Sequence, residues 1–525
     1  MVNVTEREPA YEVVVIGAGF GGIGAAIALQ RAGVDDVLVV DKWHRVGGTW
    51  SANTYPGVAV DIPSFIYSYS YEQRADWSRL FAPGAELLQY AEDVVDKYGL
   101  RPKLRLSTTI VSATFGEDDH LWRIVTESGE SISARFLIGA VGGLERPKLP
   151  NIDGIDSFTG KVVHTARWDH EYALAGKRVA VIGTGATALQ LVPEIADTVE
   201  HLSVFQRTPI WVAPKIDFEV GPVARFVLGR RLVRSTLRAA GNVAVEAGMA
   251  GALFLRDQLP YLIRGAEAGL RAWIRSQVPD PELREKLTPN YALGCKRPSM
   301  SNTYLKAFTR GDVDLVTDPI ERITPSGIVT ADGTEREIDV LVCASGFKVM
   351  EQDSTPPYPT YGRDGLNLGT FWHDHRYQAY QGVSVPRFPN FFMIAGPYGF
   401  TPGSYFWMIE ATAAHAARAI TETRRRGATS CEVRQEPHDR YFRQCVERAS
   451  RTPLFSESCA DSNTYYINYQ GDAAVLRPSL HAEMWWQNRH FPLDNYSYST
   501  VRAPRSGRAA AADPREVNDV VVAAR

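Results

Sequence analysis

Two short glycine-rich segments carry the clearest chemical signal in this 525-residue chain. The first, GAGFGG at residues 17–22, follows an apolar β-branched run and precedes a helical pattern. Gly17 permits a tight turn, Gly19 lets the backbone approach a pyrophosphate, and Gly22 allows the helix to pack closely on the strand. The next strand ends in Asp41, whose carboxylate suits ribose hydroxyls and repels a 2′-phosphate. The segment therefore predicts a site for FAD or NAD(H).

The second segment, GTGATA at residues 183–188, has the related spacing GxGxxA and also follows a strand pattern. Arg207 and Thr208 occupy the place that matches Asp41. Arg207 follows the first glycine of its cluster by 24 residues, the interval that separates Asp41 from the first glycine of the other. A guanidinium binds phosphate oxygens as a planar fork, so the second site is predicted to take NADPH.

Two dinucleotide sites in one chain imply that electrons pass from nicotinamide to flavin. A disulfide reductase would need a redox CxxC soon after the first βαβ unit, and residues 42–70 contain no cysteine. Oxygen is therefore the expected electron acceptor. The five cysteines are scattered without a CxxC pair, so we expect reduced thiols, with no disulfide framework and no metal site.

The elements that must position the glycines are strand–turn–helix–strand units at residues 11–41 and 178–207. They predict an α/β fold with two Rossmann-like dinucleotide-binding domains, one for FAD and one for NADP. Residues 105–127 alternate in polarity, as antiparallel strands do. Residues 222–277 are helical in pattern and basic, and we interpret their arginines as a solvated helix face, with a membrane-surface patch as the alternative. The arginines concerned are Arg225, Arg230, Arg231, Arg234 and Arg238.

Composition and pattern divide the chain into segments with different expected roles. The predicted segments are 1–150 (FAD domain, first part), 151–220 (NADP domain, first part), 221–285 (helical insertion), 286–340 (NADP domain, second part), 341–500 (FAD domain, second part, with substrate-pocket segments) and 501–525 (disordered tail). A net charge of −3 favours no nucleic-acid partner. Neither a signal peptide nor a transmembrane segment is recognisable, so a cytoplasmic protein is expected; the oligomeric state stays open.

Residues 158–169, FTGKVVHTARWD, resemble the pattern FxGxxxHxxxW followed by Pro or Asp, which is the fingerprint of type I Baeyer–Villiger monooxygenases. A second fingerprint of that family is also present: GGTW at residues 47–50, YPG at residues 55–57 and Asp61 resemble it. Related flavin monooxygenases that oxidise nitrogen or sulfur typically end the first fingerprint differently. The resemblance implies a hinge or linker role for His164, which we do not expect to be catalytic.

A third motif, GCKRP at residues 294–298, resembles the family segment in which a lysine pairs with the 2′-phosphate and an arginine reaches the flavin. These are Lys296 and Arg297 here. A flavin C4a-peroxide must stay deprotonated to attack a carbonyl, and a permanently charged guanidinium stabilises that anion and the negative adduct. Asp61 would hold Arg297 in place. The alternative for the basic pair is an ordinary surface position.

The expected site residues fall into three groups. Arg297 and Asp61 are expected to be catalytic. FAD is expected to contact Gly17, Gly19, Phe20, Gly22, Asp41, Lys42, Gly48, Thr49, Trp50, Asp61, Tyr67 and Val111. NADPH is expected to contact Gly183, Gly185, Ala186, Thr187, Ala188, Gln190, Arg207, Thr208 and Lys296.

The resemblance implies an FAD- and NADPH-dependent monooxygenase that inserts one atom of O2 next to a ketone carbonyl through a C4a-peroxyflavin, giving an ester or lactone. The alternatives are a flavin monooxygenase that oxidises nitrogen or sulfur, and a non-oxygenating NADPH–flavin reductase. The ketone stays unidentified, because residues 398–402 and 462–466 depart from the family pattern. Aromatic residues there suggest a roomy apolar pocket, although core packing explains them equally well: Phe400, Tyr405, Phe406, Trp407, Tyr465 and Tyr466.

Overall fold

The computed structural model describes residues 8–254, 260–352 and 354–501. The tail predicted at residues 501–525 lies outside the described residues, except for Val501. The elements are numbered below in chain order.

The first part of the chain contains the first glycine cluster between a strand and a helix. Its elements are β1 (Tyr11–Ile16), α1 (Phe20–Arg31), β2 (Val37–Val40), α2 (Thr49–Ala52), α3 (Gly84–Lys97), β3 (Leu104–Arg105), β4 (Ile110–Gly116), β5 (Leu121–Thr126) and β6 (Ser131–Gly139).

The middle part contains the second glycine cluster and the helices of the insertion. Its elements are β7 (Lys161–His164), β8 (Arg178–Ile182), α4 (Ala186–Ile195), β9 (His201–Phe205), β10 (Val212–Ala213), α5 (Pro222–Leu228), α6 (Arg231–Phe254), α7 (Pro260–Gln277), α8 (Pro281–Leu287), β11 (Ser299–Met300), α9 (Tyr304–Ala307), β12 (Val313–Val316), β13 (Ile320–Ile323), β14 (Gly327–Thr330), β15 (Glu335–Glu337) and β16 (Val340–Cys343).

The last part returns to the first domain. Its elements are β17 (Thr360–Tyr361), α10 (Leu368–His375), β18 (Phe391–Met393), α11 (Tyr405–Arg425), β19 (Ser430–Val433), α12 (Gln435–Ser450), α13 (His481–His490) and β20 (Tyr496–Ser499). Short 3₁₀ helices follow α12 at Pro453–Phe455 and Glu457–Ser462.

Two parallel sheets form the centres of the two nucleotide-binding regions. In the first, β1 lies between β2 and β6, parallel to both, and β18 adds to the other side of β6. The strands β4, β5 and β6 are antiparallel, as the alternating polarity of residues 105–127 predicts. The second sheet has the order β12-β9-β8-β16-β7 and all of its strands are parallel.

The central strands are buried on both faces, which is why they read as continuous apolar runs. One face of the second sheet packs against α4 and the other against β13 and β14. The last four residues of β1 are buried, and α1 packs between this strand and α11. In the second sheet, all of β16 is buried. Parallel strands place their carboxyl ends at one edge, where both glycine turns lie. The predicted α/β class with two Rossmann-like domains is confirmed.

The helices α5 to α7 follow the basic pattern of residues 222–277, but one arginine does not lie on a solvated face. Arg238 is only 4% exposed, and its Nη1 donates to the carbonyl oxygen of Ile66 and to Ser68 Oγ, each at 3.2 Å. For Arg238 the solvated-face interpretation was therefore wrong, because backbone and hydroxyl oxygens of the first domain satisfy the guanidinium. Among the described residues, no helix is both long and apolar enough to cross a membrane.

Candidate cofactor sites and the arginine between them

The first glycine turn is too tight for any side chain. Gly17 has φ +113°, and a Cβ there would stand 2.3 Å from the carbonyl oxygen of Ala140. A Cβ on Gly22 would stand 1.7 Å from the carbonyl oxygen of Gly17. The turn therefore leads directly into α1, which begins at Phe20 with no side chain capping it at Gly19. The free N–H groups of the first helical turn and the positive end of its dipole suit a pyrophosphate.

Asp41 closes this turn from the end of β2. One carboxylate oxygen accepts from the N–H of Ala18 at 2.6 Å and the other accepts from the N–H of Trp43 at 2.9 Å. Burial raises the pKa of Asp41, while these two N–H groups lower it by less. A carboxylate has about four acceptor positions, so Asp41 can still accept from ribose hydroxyls.

Lys42 is held by an acid that the sequence analysis did not identify. Its Nζ lies 2.7 Å from Glu145 Oε2, and the other oxygen of Glu145 lies 2.5 Å from Arg167. Arg167 in turn lies over the ring of Trp43, 5.0 Å from its centroid. Glu145 thus connects the end of the first βαβ unit to the fingerprint segment that carries Arg167.

An aromatic wall stands beside the glycine turn. Gly48 has φ +54°, and a Cβ there would stand 2.8 Å from the Cα of Gly19, so the two backbones touch. The short helix α2 starts at Thr49 and presents Trp50, whose Nε1 donates to the hydroxyl of Tyr67 at 3.3 Å. Burial raises the pKa of Tyr67, so this tyrosine stays neutral. Flat, buried aromatic groups next to a pyrophosphate-binding turn suit a flavin ring.

Arg297 meets Asp61 between the two domains. Arg297 Nη2 lies 2.8 Å from Asp61 Oδ2. Burial lowers the pKa of Arg297, but Asp61 and the tyrosines Tyr465, Tyr466 and Tyr67 raise it, and the net shift is upward. The guanidinium is therefore permanently charged, and the two predicted catalytic residues are brought together.

The second glycine turn repeats the geometry of the first with more room. Gly183 has φ +117°, and a Cβ there would stand 2.4 Å from the carbonyl oxygen of Ala344. Gly185 is the N-cap residue of α4, and a Cβ there would meet no atom within 4 Å. The first turn of this helix, residues 186–188, is therefore approachable from the side of Gly185.

Arg207, which follows β9, is an electrostatic neighbour of Lys296 in the loop before Arg297. Burial and the neighbouring Arg207 together lower the pKa of Lys296 to about 8. Such crowding of like charges is expected where an anion binds between them. Thr208 lies beside them, and its Oγ1 accepts from Asn463 Nδ2 at 2.9 Å. The charge and the donors fit the 2′-phosphate of NADPH.

Gln190 has protein partners on both ends of its amide. Its Oε1 accepts from the hydroxyl of Tyr55 at 2.9 Å, and its Nε2 donates to the carbonyl oxygen of Ala59 at 3.0 Å. Burial raises the pKa of Tyr55 to about 12, and the hydroxyl of Thr187 is a further partner. In this structure Gln190 joins α4 to the second fingerprint, and its predicted contact with NADPH stays a prediction. Val111, which is 42% exposed on β4, also stays a prediction as an FAD contact.

A disulfide joins Cys295 to Cys459, so the expectation that all cysteines are reduced thiols was wrong. The two residues are 164 positions apart, and no local spacing could have indicated the pair. The fold brings them together because the loop before Arg297 packs on the 3₁₀ helix Glu457–Ser462, where Ala292 N–H donates to the Ser458 carbonyl oxygen at 3.1 Å. The bond fixes the loop of Lys296 and Arg297 to the segment that carries Asn463.

The first fingerprint contains β7, the edge strand of the second sheet, which pairs with β16; its hinge or linker role stays a prediction. A Cβ on Gly160 would stand 2.5 Å from a backbone carbonyl oxygen, so only glycine fits there. His164 ends β7, and its Nδ1 accepts from the N–H of Ala166 at 3.0 Å. Burial lowers the pKa of His164. Lys161 and Asp169 form an ion pair of 2.6 Å across the motif. These contacts stabilise the connection, and none of them reaches the glycine turns.

The aromatic residues of the C-terminal part fall into two groups. Phe406 is fully buried and packs against Phe20, with ring centroids 4.7 Å apart, so core packing accounts for it. Phe400 and Tyr405 are stacked at 5.3 Å. Tyr465, in contrast, is exposed and lies beside Tyr466, with centroids 4.5 Å apart. The segment of Tyr465 and Tyr466 is the part that faces Arg297.

Comparisons with known proteins agree with this geometry. Residues 14–247 match the family model described as pyridine nucleotide-disulphide oxidoreductase, which covers both glycine turns. The chain is 38% identical to a Baeyer–Villiger monooxygenase of Pseudomonas aeruginosa over 493 residues, covering 93% of this chain and 92% of that one. The chain belongs to the Baeyer–Villiger monooxygenase family. The type I resemblance drawn from the fingerprints is thus confirmed.

Two further relatives of this Baeyer–Villiger family member bear on its cofactors and chemistry. A crystal structure of OTEMO in complex with FAD and NADP superposes with a TM-score of 0.83 at 29% identity, covering 94% of this chain and all of that chain. The phenazine N-monooxygenase PhzNO1 of Lysobacter antibioticus is 31% identical over 519 residues, covering 90% of this chain and 94% of that one. FAD and NADPH are the cofactors of this family member, as the two glycine turns predict.

Proposed function

We propose that this protein uses NADPH and O2 to insert one oxygen atom next to a ketone carbonyl, with Arg297 as the catalytic cation. The overall reaction is ketone + O2 + NADPH + H⁺ → ester or lactone + NADP⁺ + H2O. The observation that carries the proposal is the Arg297–Asp61 ion pair, 2.8 Å long. Both of its members act electrostatically on Tyr67 beside the first glycine turn, and Asp61 also acts on Tyr55, a partner of Thr187 in the second.

The first glycine turn would bind FAD and the second would bind NADPH. Backbone N–H groups at the start of α1, with Asp41, would hold the FAD pyrophosphate and ribose, and Trp50 and Tyr67 would border its ring. Gly185 with Arg207 would hold the NADPH pyrophosphate and 2′-phosphate. When bound, NADPH supplies the electrons and FAD activates the oxygen.

Arg297 stabilises the negative charge that develops when an oxygen nucleophile adds to the ketone. A preorganised cation aimed at developing charge is typically worth two to three orders of magnitude in rate. Asp61 keeps the guanidinium oriented and balances its charge before the substrate enters. Because the net pKa shift of Arg297 is upward, the cation cannot be lost within the working pH range.

The 31% identity to a phenazine N-monooxygenase makes nitrogen oxygenation the second candidate. The experiment is a product balance: purified enzyme turns over NADPH with a panel of cyclic, linear and aryl ketones, and separately with amines and sulfides. Esters or lactones formed close to one per NADPH support the proposal. N-oxides or sulfoxides formed in preference to esters favour the second candidate. Hydrogen peroxide at one per NADPH with every compound would indicate the reductase alternative.

A further inference from the structure

The helical insertion presents an apolar surface to the outside of the molecule. Ten of the nineteen large apolar side chains that are exposed in the described part of the chain lie between residues 216 and 262. We call the exposed side chains of this stretch and of the remainder of α7 the insertion face. Its largest members include Phe226 at 69%, Leu232 at 80% and Val243 at 66% exposure. Soluble monomers rarely expose so many large apolar groups in one stretch of chain.

The helix α6 has its polarity reversed relative to an ordinary surface helix. Its inward side carries Arg238, bonded to Ile66 and Ser68 of the first domain, and Glu246, which accepts from the N–H of His481. Apart from Arg231, its described exposed side chains are uncharged: Leu232, Leu237 and Val243 are the large apolar groups, and the others are small residues, Thr236, Ala239, Ala240, Ala244, Ala247 and Gly248. A helix that turns charge inward and alkyl groups outward is expected to dock on something apolar.

The exposed charges of the helices α5 to α7 have one sign; the exposed acid of the stretch, Glu219, precedes α5 and pairs with Arg79 at 3.6 Å. Within the described residues of α5, α6 and α7, and in the two residues that join α5 to α6, every exposed charged side chain is an arginine: Arg225, Arg230, Arg231, Arg264, Arg271 and Arg275. The described carboxylates of these helices are directed inward, since Glu246 bonds His481 and Glu267 accepts from the N–H of Leu293 at 2.9 Å. The partner of this surface should therefore be apolar and negatively charged.

We propose that the insertion face docks on an anionic membrane surface, with its apolar side chains entering the lipid and its arginines contacting the headgroups. Basic residues beside exposed apolar helical groups are the pattern of interfacial membrane binding. A second copy of the chain fits less well. A two-fold contact would place Arg225, Arg230 and Arg231 of both copies in the same interface, where their like charges repel.

The inward side of α6 contacts segments that lead to the residues around Arg297. Gly241 of α6 packs against Phe65 and Ile66, next to Tyr67 of the aromatic wall. At the end of the helix, Leu253 shares a buried cluster against which Tyr466 packs, and Tyr466 is one of the tyrosines near Arg297. Resting on the proposed function, this placement indicates a lipid-dissolved, strongly apolar ketone as the substrate class.

The test is co-sedimentation of the full-length holoenzyme with vesicles of phosphatidylcholine alone or with 30% phosphatidylglycerol. We expect binding only to the anionic vesicles and its loss in 0.5 M NaCl, since salt screens headgroup attraction. The variant Arg225→Glu/Arg230→Glu/Arg231→Glu should bind at least about 100-fold more weakly, since each basic residue near the surface contributes about fivefold or more. Phe226→Ser/Leu232→Ser should also lose binding.

The matched control Arg322→Glu/Leu149→Ser changes an exposed arginine and an exposed leucine outside the insertion and should bind like the unaltered protein. Bound FAD and NADPH oxidation report folding in every variant. Absence of binding to anionic vesicles, or binding that the arginine variant does not weaken, overturns the docking proposal. A lipid-free dimer that Phe226→Ser/Leu232→Ser dissociates, without vesicle binding, overturns it in favour of a second copy. Vesicle binding without ester formation would leave docking intact and refute only the proposed function.

Discussion

Arg297 and Asp61 come from opposite domains and form a 2.8 Å ion pair, while the residue before Arg297 faces a second cation. One short loop therefore serves two purposes. Arg297 is paired with a carboxylate, whereas burial and the neighbouring Arg207 lower the pKa of Lys296, which is expected where an anionic ligand binds. We therefore propose that this loop contacts NADPH through Lys296 and stabilises reaction charge through Arg297.

The first prediction concerns the FAD turn. In Gly22→Ala the new Cβ would stand 1.7 Å from the carbonyl oxygen of Gly17, so the turn must open and FAD binding should be lost. The purified variant should show at least tenfold less flavin absorbance per protein. Gly21→Ala is the control, because its Cβ would meet only side chains at ordinary contact distances, Ile394 at 3.4 Å and Ala140 at 3.6 Å, and FAD should stay bound. Equal flavin content in both variants would contradict the assignment of the turn.

The second prediction concerns coenzyme choice. Arg207→Gln and Lys296→Met should each raise the KM for NADPH about 10- to 100-fold, because a hydrogen bond to a charged group contributes about 1.5–3 kcal/mol. NADH lacks the 2′-phosphate, so its KM should change by less than about twofold. Steady-state kinetics with both coenzymes measure this directly. Equal losses for NADPH and NADH would place the two cations away from the 2′-phosphate.

The third prediction concerns pH. The pKa of Lys296 is lowered to about 8, so its cation is present below pH 8 and is lost as the pH rises above that value. The KM for NADPH should therefore rise severalfold per pH unit above about 8, while the KM for NADH stays flat. In Lys296→Met the rise should disappear. A rise of the same size in that variant would assign the titration to another group.

The parts of the fold and of the candidate site that could be predicted from the sequence are those whose residues lie close together in the chain. Gly17, Gly22 and Asp41 are encoded within one βαβ unit, so their turn and its preference for FAD or NAD(H) follow from the spacing and the acid together. The roles expected of Lys296 and Arg297 came from the resemblance of residues 294–298 to a family segment, together with the need of the chemistry for a permanent cation. The strands β4 and β5 could also be predicted from the sequence, because alternating apolar and polar residues indicate a strand with one buried face.

The contacts that were missed join distant parts of the chain. Cys295 and Cys459 form a disulfide across 164 positions, and Asn463 reaches Thr208 across 255. Glu145 forms ion pairs with Lys42 and Arg167, and it lies in a loop in which the sequence analysis found no motif. None of these contacts leaves a periodic or spaced signature, because tertiary packing alone brings the partners together.

The fourth prediction concerns the disulfide. Thiol titration of the denatured, unreduced protein should find three thiols, those of Cys343, Cys431 and Cys445. Cys459→Ser should lower the free energy of unfolding by about 2–5 kcal/mol, because the bond closes a long loop. Reductant should lower the melting temperature of the unaltered protein but not that of the variant. Cys445→Ser, which alters a free cysteine, should keep the response to reductant. Five titratable thiols would contradict the bond.

The central claim is that Arg297 stabilises the negative charge that develops when one oxygen atom of O2 is transferred to the ketone. One measurement tests this claim most directly. The unaltered enzyme and Arg297→Ala are given NADPH, ¹⁸O2 and a ketone that the unaltered enzyme converts, and labelled ester and hydrogen peroxide are counted per NADPH. The account predicts one ¹⁸O atom per ester in the unaltered enzyme. It predicts at least about 100-fold less ester in Arg297→Ala, with continued NADPH oxidation ending in hydrogen peroxide. Labelled ester formed by Arg297→Ala within a few-fold of the normal rate would contradict the account.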